Sequence, residues 1–173
     1  MPAGTPLQQT TAGGCFAYDV FSAGFEAAAD AYARENVAPR ADDPWLLGWH
    51  FEKEVSWQKM DLRFWFSPKL AGELAAGRAN ATAFLRARYN QSVAKLNAAW
   101  HCNLAGFDPD EIGGCLNPPG HVADCGNGWA TGPPGVRMAA VTSDSEAFLV
   151  GSFARRYFDV VTAAIRRYDG HQY

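Results

Sequence analysis

Glu54 follows the run Pro44-Trp-Leu-Leu-Gly-Trp-His-Phe51 and is flanked in sequence by Trp49 and Trp57. A carboxyl group held among aromatic rings keeps its proton more readily, because a poor dielectric penalises the charged form. Such an acid can protonate the leaving oxygen of a glycosidic bond. The reaction also needs a second carboxylate across the anomeric carbon, about 5–5.5 Å from the first where configuration is retained. Small misplacements are costly in rate, so the acid must be carried by a stiff element. Glu54 is the candidate general acid/base, and Trp49 and Trp57 are the aromatic groups placed to line a sugar cleft.

The element that would position Glu54 is the apolar run before it. An unbroken run of this length after a helix reads as a buried parallel strand, and the change to Glu52-Lys-Glu54 marks its C-terminal end. In an α/β barrel that end faces the active site. His50 alternates to the face opposite Trp49 and reads as a packed strand histidine. Upstream, Phe16 to Phe21 reads as a short extended segment leading to a turn at Ser22-Ala-Gly24. Phe25, Ala28, Ala29, Tyr32, Ala33 and Val37 then recur at helical spacing, and Pro39 and Arg40 to Asp43 close that helix. Downstream, Ser67-Pro68 reads as the start of a short helix over Leu70–Gly77. A longer one covers about Asn80–Trp100, with Asn90-Gln91-Ser92 as a place where it breaks. Ser143-Asp-Ser-Glu146 carries helix-start signals, followed by a stripe of Leu149, Phe153, Tyr157, Val160, Val161, Ala164 and Ile165. Arg166-Arg167 fit that helix's C-terminus, and Asp169-Gly170 ends it.

Three blocks carry a family resemblance. Asp43-Pro-Trp-Leu-Leu-Gly-Trp-His-Phe-Glu-Lys-Glu-Val-Ser-Trp57 resembles the strand-four segment of clan A glycoside hydrolases, in particular family-42 β-galactosidases and agarase-like proteins. Arg88 to Trp100 is similar to a Leu-Asn-x-Ala-Trp block of that family. Phe153 to His171 is similar to its helix ending in Ile-Arg-x-x-Asp-Pro-Asn-His. The resemblance implies a partial (β/α)8 TIM barrel, a helix-rich fragment around barrel strand four. It further implies retaining hydrolysis of β-galactosides or related polysaccharides without a cofactor or a metal. Glu54 matches the acid/base, Gly48 and Trp49 the family's glycine and tyrosine, and Trp57 its following tryptophan. Lys53 stands where the family has a sugar-binding asparagine, Glu52 where it has aspartate, and His101 where it has glycine. Lysine has donors and no acceptor, so it cannot reproduce an amide's bonding. No part of the chain matches the segment bearing the family's nucleophile, so the expectation is of little or no turnover by these residues alone.

The 173 residues, 48% of them hydrophobic, are enough for one core. The expected organisation is a flexible N-terminus at 1–14 and a partial hydrolase barrel domain at 15–173. A Cys/Gly/Pro-rich loop at 102–142 interrupts that domain, without periodicity. Lys and Arg are scattered and the formal charge is −3, which does not fit a nucleic-acid partner. No apolar run is long enough to span a membrane. No signal peptide is visible at the N-terminus, which leaves localisation open, as it does oligomeric state. The expected partner is a carbohydrate. Cys15, Cys102, Cys115 and Cys125 allow three pairings, between which the sequence does not choose. Cys102, Cys115, His121 and Cys125 could instead hold zinc by residue type, although no close Cys-x-x-Cys pair occurs. Asp108, Asp110 and Glu111 lack calcium-loop spacing and read as a solvated turn. Asn80 and Asn90 begin tripeptides of the glycosylation acceptor pattern.

Overall fold

Ser22 leads the chain from a turn at Asp19–Ser22 into a helix. Its hydroxyl accepts from the Phe25 N–H at 3.2 Å and donates to the Asp19 carbonyl at 2.8 Å, which satisfies an amide that the first helical turn leaves open. The computed structural model describes residues 9–10, 16–17, 19–50, 60–70, 72, 74–120 and 132–171. Helix α1 (Ala23–Asn36) buries Phe25, Ala28, Ala29 and Ala33, and Val37 just beyond it is buried as well. Tyr32, expected on the same stripe, is exposed. A 3₁₀ turn at Ala38–Arg40 ends the element.

The expected buried strand at Pro44–Phe51 is not there, as far as its described residues 44–50 go. Trp45 is 88% and Leu47 98% exposed, and none of these residues is paired in a sheet. The reason is local turn chemistry. Pro44 has no N–H, and Asp43 takes the next two amides, that of Trp45 on its carboxylate at 2.9 Å and that of Leu46 on its carbonyl at 3.1 Å. A strand deprived of its first donors has no ladder to join. Strand pairing among the described residues is confined to β1 (Gln9–Thr10) and β2 (Phe16–Ala17), antiparallel with Gln9 opposite Ala17. The partial (β/α)8 barrel reading is therefore corrected: the described residues form a helical assembly with no parallel strand.

The core gathers around Trp65. It lies in α2 (Leu62–Trp65), a single turn in a stretch from Met60 to Ser67 that is buried throughout. The Trp65 ring meets Phe64, Phe148 and Phe153 at centroid distances of 5.5, 6.0 and 5.7 Å. Its indole N–H donates to the Met60 carbonyl at 3.1 Å. Gly77 makes room for it, since a Cβ there would sit 2.1 Å from a ring carbon. Gly77 belongs to α3 (Ala75–Arg88), which starts later than the expected Leu70–Gly77 helix; Pro68–Leu70 is a 3₁₀ turn. No local side chain caps α3. Asp19, far away in sequence, does so instead, its Oδ2 accepting from the Ala76 and Gly77 N–H groups at 3.1 and 3.0 Å.

The break expected after α3 is present. Asn90 and Gln91 have φ of 52° and 60°, and Ser92 caps α4 (Val93–Trp100) by accepting from Lys95 N–H at 3.3 Å. His101 ends α4 in the left-handed region at φ 60°. That conformation favours glycine, and glycine is what the resembling family has at this position.

The loop expected at 102–142 contains a helix, α5 (Pro109–Leu116). Asp108 accepts from the Asp110 and Glu111 N–H groups at 2.8 and 3.1 Å, and Pro109 takes the first helical position. The acidic group read as a solvated turn is thus a helix start, and Glu111 reaches back to the Ala105 and Gly106 amides. A disulfide joins Cys102 to Cys115. It removes both thiolates from the zinc alternative, whose other members, His121 and Cys125, lie outside the described residues, as does Cys15. Gly113 lets α5 approach closely, because a Cβ there would lie 2.6 Å from the Phe66 carbonyl oxygen. Asn117 donates to the Arg63 carbonyl at 3.0 Å.

The last helical run comprises α6 (Met138–Phe148), a π-helical segment at Leu149–Ala154, and α7 (Arg155–Tyr168). The expected start at Ser143–Glu146 falls inside α6, where Asp144 and Ser145 are buried. In α7, Tyr157, Val160 and Ala164 are buried against α1. The Phe25 and Tyr157 rings meet at a tilt with centroids 5.8 Å apart, and the pairs Glu26–Arg156 and Asp30–Arg167 rim the contact.

Two stability outcomes follow from this packing. Gly77→Ala drives a methyl group into the Trp65 ring and should cost about 3 kcal/mol in urea unfolding; an unchanged midpoint would contradict the close approach. Replacing Cys102 and Cys115 by Ser opens a loop with a sequence separation of 13 and should cost about 3 kcal/mol by the same measurement.

Candidate functional site

Of the residues assigned to the site from sequence, the described ones include Trp49. Glu54, Lys53 and Trp57 lie outside the described residues, as do Phe51 and Glu52. The described residues next to the candidate site are those on the two flanks of 51–59.

On the N-terminal flank, Trp49 is half-buried and packs against the core, while His50 is exposed. The Trp49 indole N–H donates to Asp169 Oδ2 at 2.8 Å. Asp169 is 1% exposed, and its Oδ1 accepts from the His171 N–H at 3.0 Å. Trp49 is thus joined to the residue that ends α7. On the C-terminal flank, Asp61 caps α2 by accepting from the Phe64 N–H at 3.0 Å. Burial pushes its carboxyl above the usual carboxylate range, against the lowering effects of the Phe64 amide and the Arg63 charge. The Leu62 N–H donates to Ser145 Oγ at 3.0 Å, and Ser145 in turn donates to the Val141 carbonyl at 2.7 Å.

Beside Ser145 stands the strongest polar constellation among the described residues. Asp144 is 2% exposed. Its Oδ1 accepts from Arg88 Nε, and its Oδ2 accepts from Tyr89 Oη at 2.5 Å and Trp100 Nε1 at 2.8 Å. Burial, then the hydrogen bond and charge of Asp144, push the Tyr89 hydroxyl far above its ordinary value. The donors come from the Arg88–Trp100 block, and they meet a carboxylate that the sequence presented as a helix-start signal. This constellation anchors helices to one another. Two open hollows lie elsewhere: one of about 520 Å³ between α1 and α7, and one of about 540 Å³ beside the Cys102–Cys115 bridge. No cluster of metal-ligating side chains occurs among the described residues, and no described helix is long and apolar enough to cross a membrane.

Sequence reasoning missed Asp19, Asp144 and Asp169, the three buried aspartates whose partners are remote in sequence. For Asp169 there was a signal. A carboxylate just past a helix C-terminus opposes the helix dipole.

Set beside proteins of known structure, the chain is similar to an exo-β-agarase, a glycoside hydrolase. The identity is 22% and the TM-score 0.64, over 95% of this chain and 21% of that one. The chain has the fold of a segment of that enzyme and spans about a fifth of its length. No family model and no curated protein matches the sequence.

The Tyr89–Asp144 bond makes stability sensitive to alkali. Tyr89 keeps its proton in the fold above pH 10.0, where an unfolded tyrosine loses it. The stabilisation is full below that value and is lost as pH rises through the folded pKa. Thermal midpoints of wild type should therefore fall more steeply above pH 10 than those of Tyr89→Phe; parallel curves would contradict the linkage.

Proposed function

We propose that the chain is the acid-bearing segment of a glycoside hydrolase acting on β-linked galactans of the agarose type. Glu54 supplies the proton, and Trp49, Lys53 and Trp57 meet the sugar. The observation that carries this reading is the likeness to an exo-β-agarase over 95% of the chain. The three sequence blocks that resemble family-42 β-galactosidases and agarase-like proteins support it independently. Two of those blocks also carry hydrogen bonds that hold the fold together. Arg88, Tyr89 and Trp100 converge on Asp144, and the third block ends in the Asp169 that receives Trp49.

A second reading, carbohydrate binding with little turnover, is favoured by Lys53. Lysine has donors and no acceptor, so Lys53 cannot reproduce the two-way bonding of the amide that the resembling family has beside its acid/base. Both readings require a galactan to bind; they differ in hydrolysis.

A tetrasaccharide released from agarose should quench the tryptophan fluorescence of the purified chain saturably. Aryl β-galactoside hydrolysis should be negligible and equal in wild type and Glu54→Gln. No saturable quenching would sink the carbohydrate reading. Turnover that disappears in Glu54→Gln would overturn the expected inactivity and decide for the hydrolase over the binding derivative.

A further inference from the structure

We propose that Asp169 is a positioning residue for the sugar site, fixing the Trp49 ring in the orientation in which it meets a galactose-type pyranose. The inference rests on the reading of Trp49 as a sugar-facing residue, and it adds a role that the sequence does not give to Asp169.

Four observations converge on Asp169. Its carboxylate is almost wholly buried, and burying a charge is costly unless donors surround it. It also sits just beyond the C-terminus of α7, where the negative end of the helix dipole opposes it. Glycine or asparagine would end the helix without that cost. Asp169 is therefore not explained by helix termination, although its own N–H does close the last turn on the Ile165 carbonyl at 2.9 Å. What the carboxylate gains is donors: Oδ1 takes the His171 amide and Oδ2 takes the Trp49 indole. The second of these spans 120 positions of sequence.

The other end of the bond gives it a purpose. Pro44, Trp45, Leu47 and His50 are exposed, whereas Trp49 packs against the core with part of its surface left outside. The indole–carboxylate bond is thus a tether for the chain that leads into residues 51–59. An indole held at its N–H and packed along part of its ring has lost its rotational freedom before any ligand arrives. A sugar stacking on it then pays less ordering entropy. The arrangement also limits what Trp49 can do. Its N–H is committed to Asp169, so recognition by Trp49 is by ring contact and not by hydrogen bonding.

The test uses three variants of the full chain, with the agarose-derived tetrasaccharide as probe. Asp169→Ala removes the acceptor, Asp169→Asn keeps an acceptor oxygen without the charge, and Trp49→Phe keeps a ring without the donor. Binding is read by titration calorimetry. The state of the Trp49 indole is read from its ¹⁵N–¹H resonance, identified by its loss in Trp49→Phe. Asp169→Ala should weaken binding about tenfold and Asp169→Asn clearly less, as expected when a positioning hydrogen bond is lost and partly restored. Asp169→Ala should also move the Trp49 indole resonance upfield, and combining it with Trp49→Phe should cost no more than the larger single effect. If Asp169→Ala does not fold, Asp169→Asn and Trp49→Phe carry the same comparison. Wild-type binding with unchanged affinity in the Asp169 variants would overturn the positioning role and leave the carbohydrate reading standing. A wild type that does not bind the tetrasaccharide would remove both. An indole resonance indifferent to residue 169 would overturn the tether itself.

Discussion

A charge buried without partners would undo a domain of this size, and the Asp144 carboxylate lies in the interior of this one. The fold meets that constraint by bringing an arginine and a tyrosine from the end of α3 and a tryptophan from the end of α4 to one side chain of α6. Because the three donors come from both sides of the Asn90–Gln91 corner, the carboxylate also fixes the angle between α3 and α4. The neighbouring Ser145 holds the first amide of α2, and α2 carries Trp65 into the centre of the aromatic core. One turn of α6 therefore connects the polar anchor to the apolar core. The flank of the candidate site at Met60–Leu62 inherits its position from that turn.

Helices whose signals are local were legible in the sequence. The stripe from Phe25 to Val37, apart from the exposed Tyr32, the break at Asn90–Ser92, and the buried Tyr157, Val160 and Ala164 of α7 lie where the sequence pattern puts them. The differences from expectation lie at polar residues with distant partners and at local caps and turns. Ser143–Glu146 looked like a helix start because serine and aspartate commonly cap, yet Asp144 and Ser145 are spent on α3, α4 and α2. Asp108–Glu111 looked like a solvated turn, although Asp108 followed by Pro109 is the cap-and-proline signature that α5 uses. The apolar run at Pro44–Phe51 looked like a barrel strand because apolarity alone cannot say whether a neighbouring strand exists to pair with it. Its Asp-Pro start carried the opposing signal, since Asp43 turns back the first amides.

Of the candidate site residues, Trp49 is the one among the described residues. Composition and spacing alone make Glu54 an ordinary carboxylate; its proposed role as an acid comes from the resemblance of the three blocks. The structural likeness to an agarase segment reinforces the blocks at the level of fold. Trp49 could be picked from sequence as an aromatic neighbour, but the acceptor that receives its indole could not. A pairing across 120 positions leaves no periodic trace.

The π-helical segment between α6 and α7 has an arithmetic consequence. Phe148 and Phe153, five positions apart, both reach the Trp65 ring, and the wider i→i+5 turn brings two such positions onto one face. The segment behaves as a helix with one residue inserted. Each residue of an α-helix turns the chain by about 100°, so losing one between Leu149 and Ala154 would rotate the buried face of α7 away from α1. A change of side chain at the exposed Val150 leaves that contact intact, but a change in the number of residues in the segment does not. An insertion or deletion there would therefore shift the register of α7 on α1, which a substitution would not.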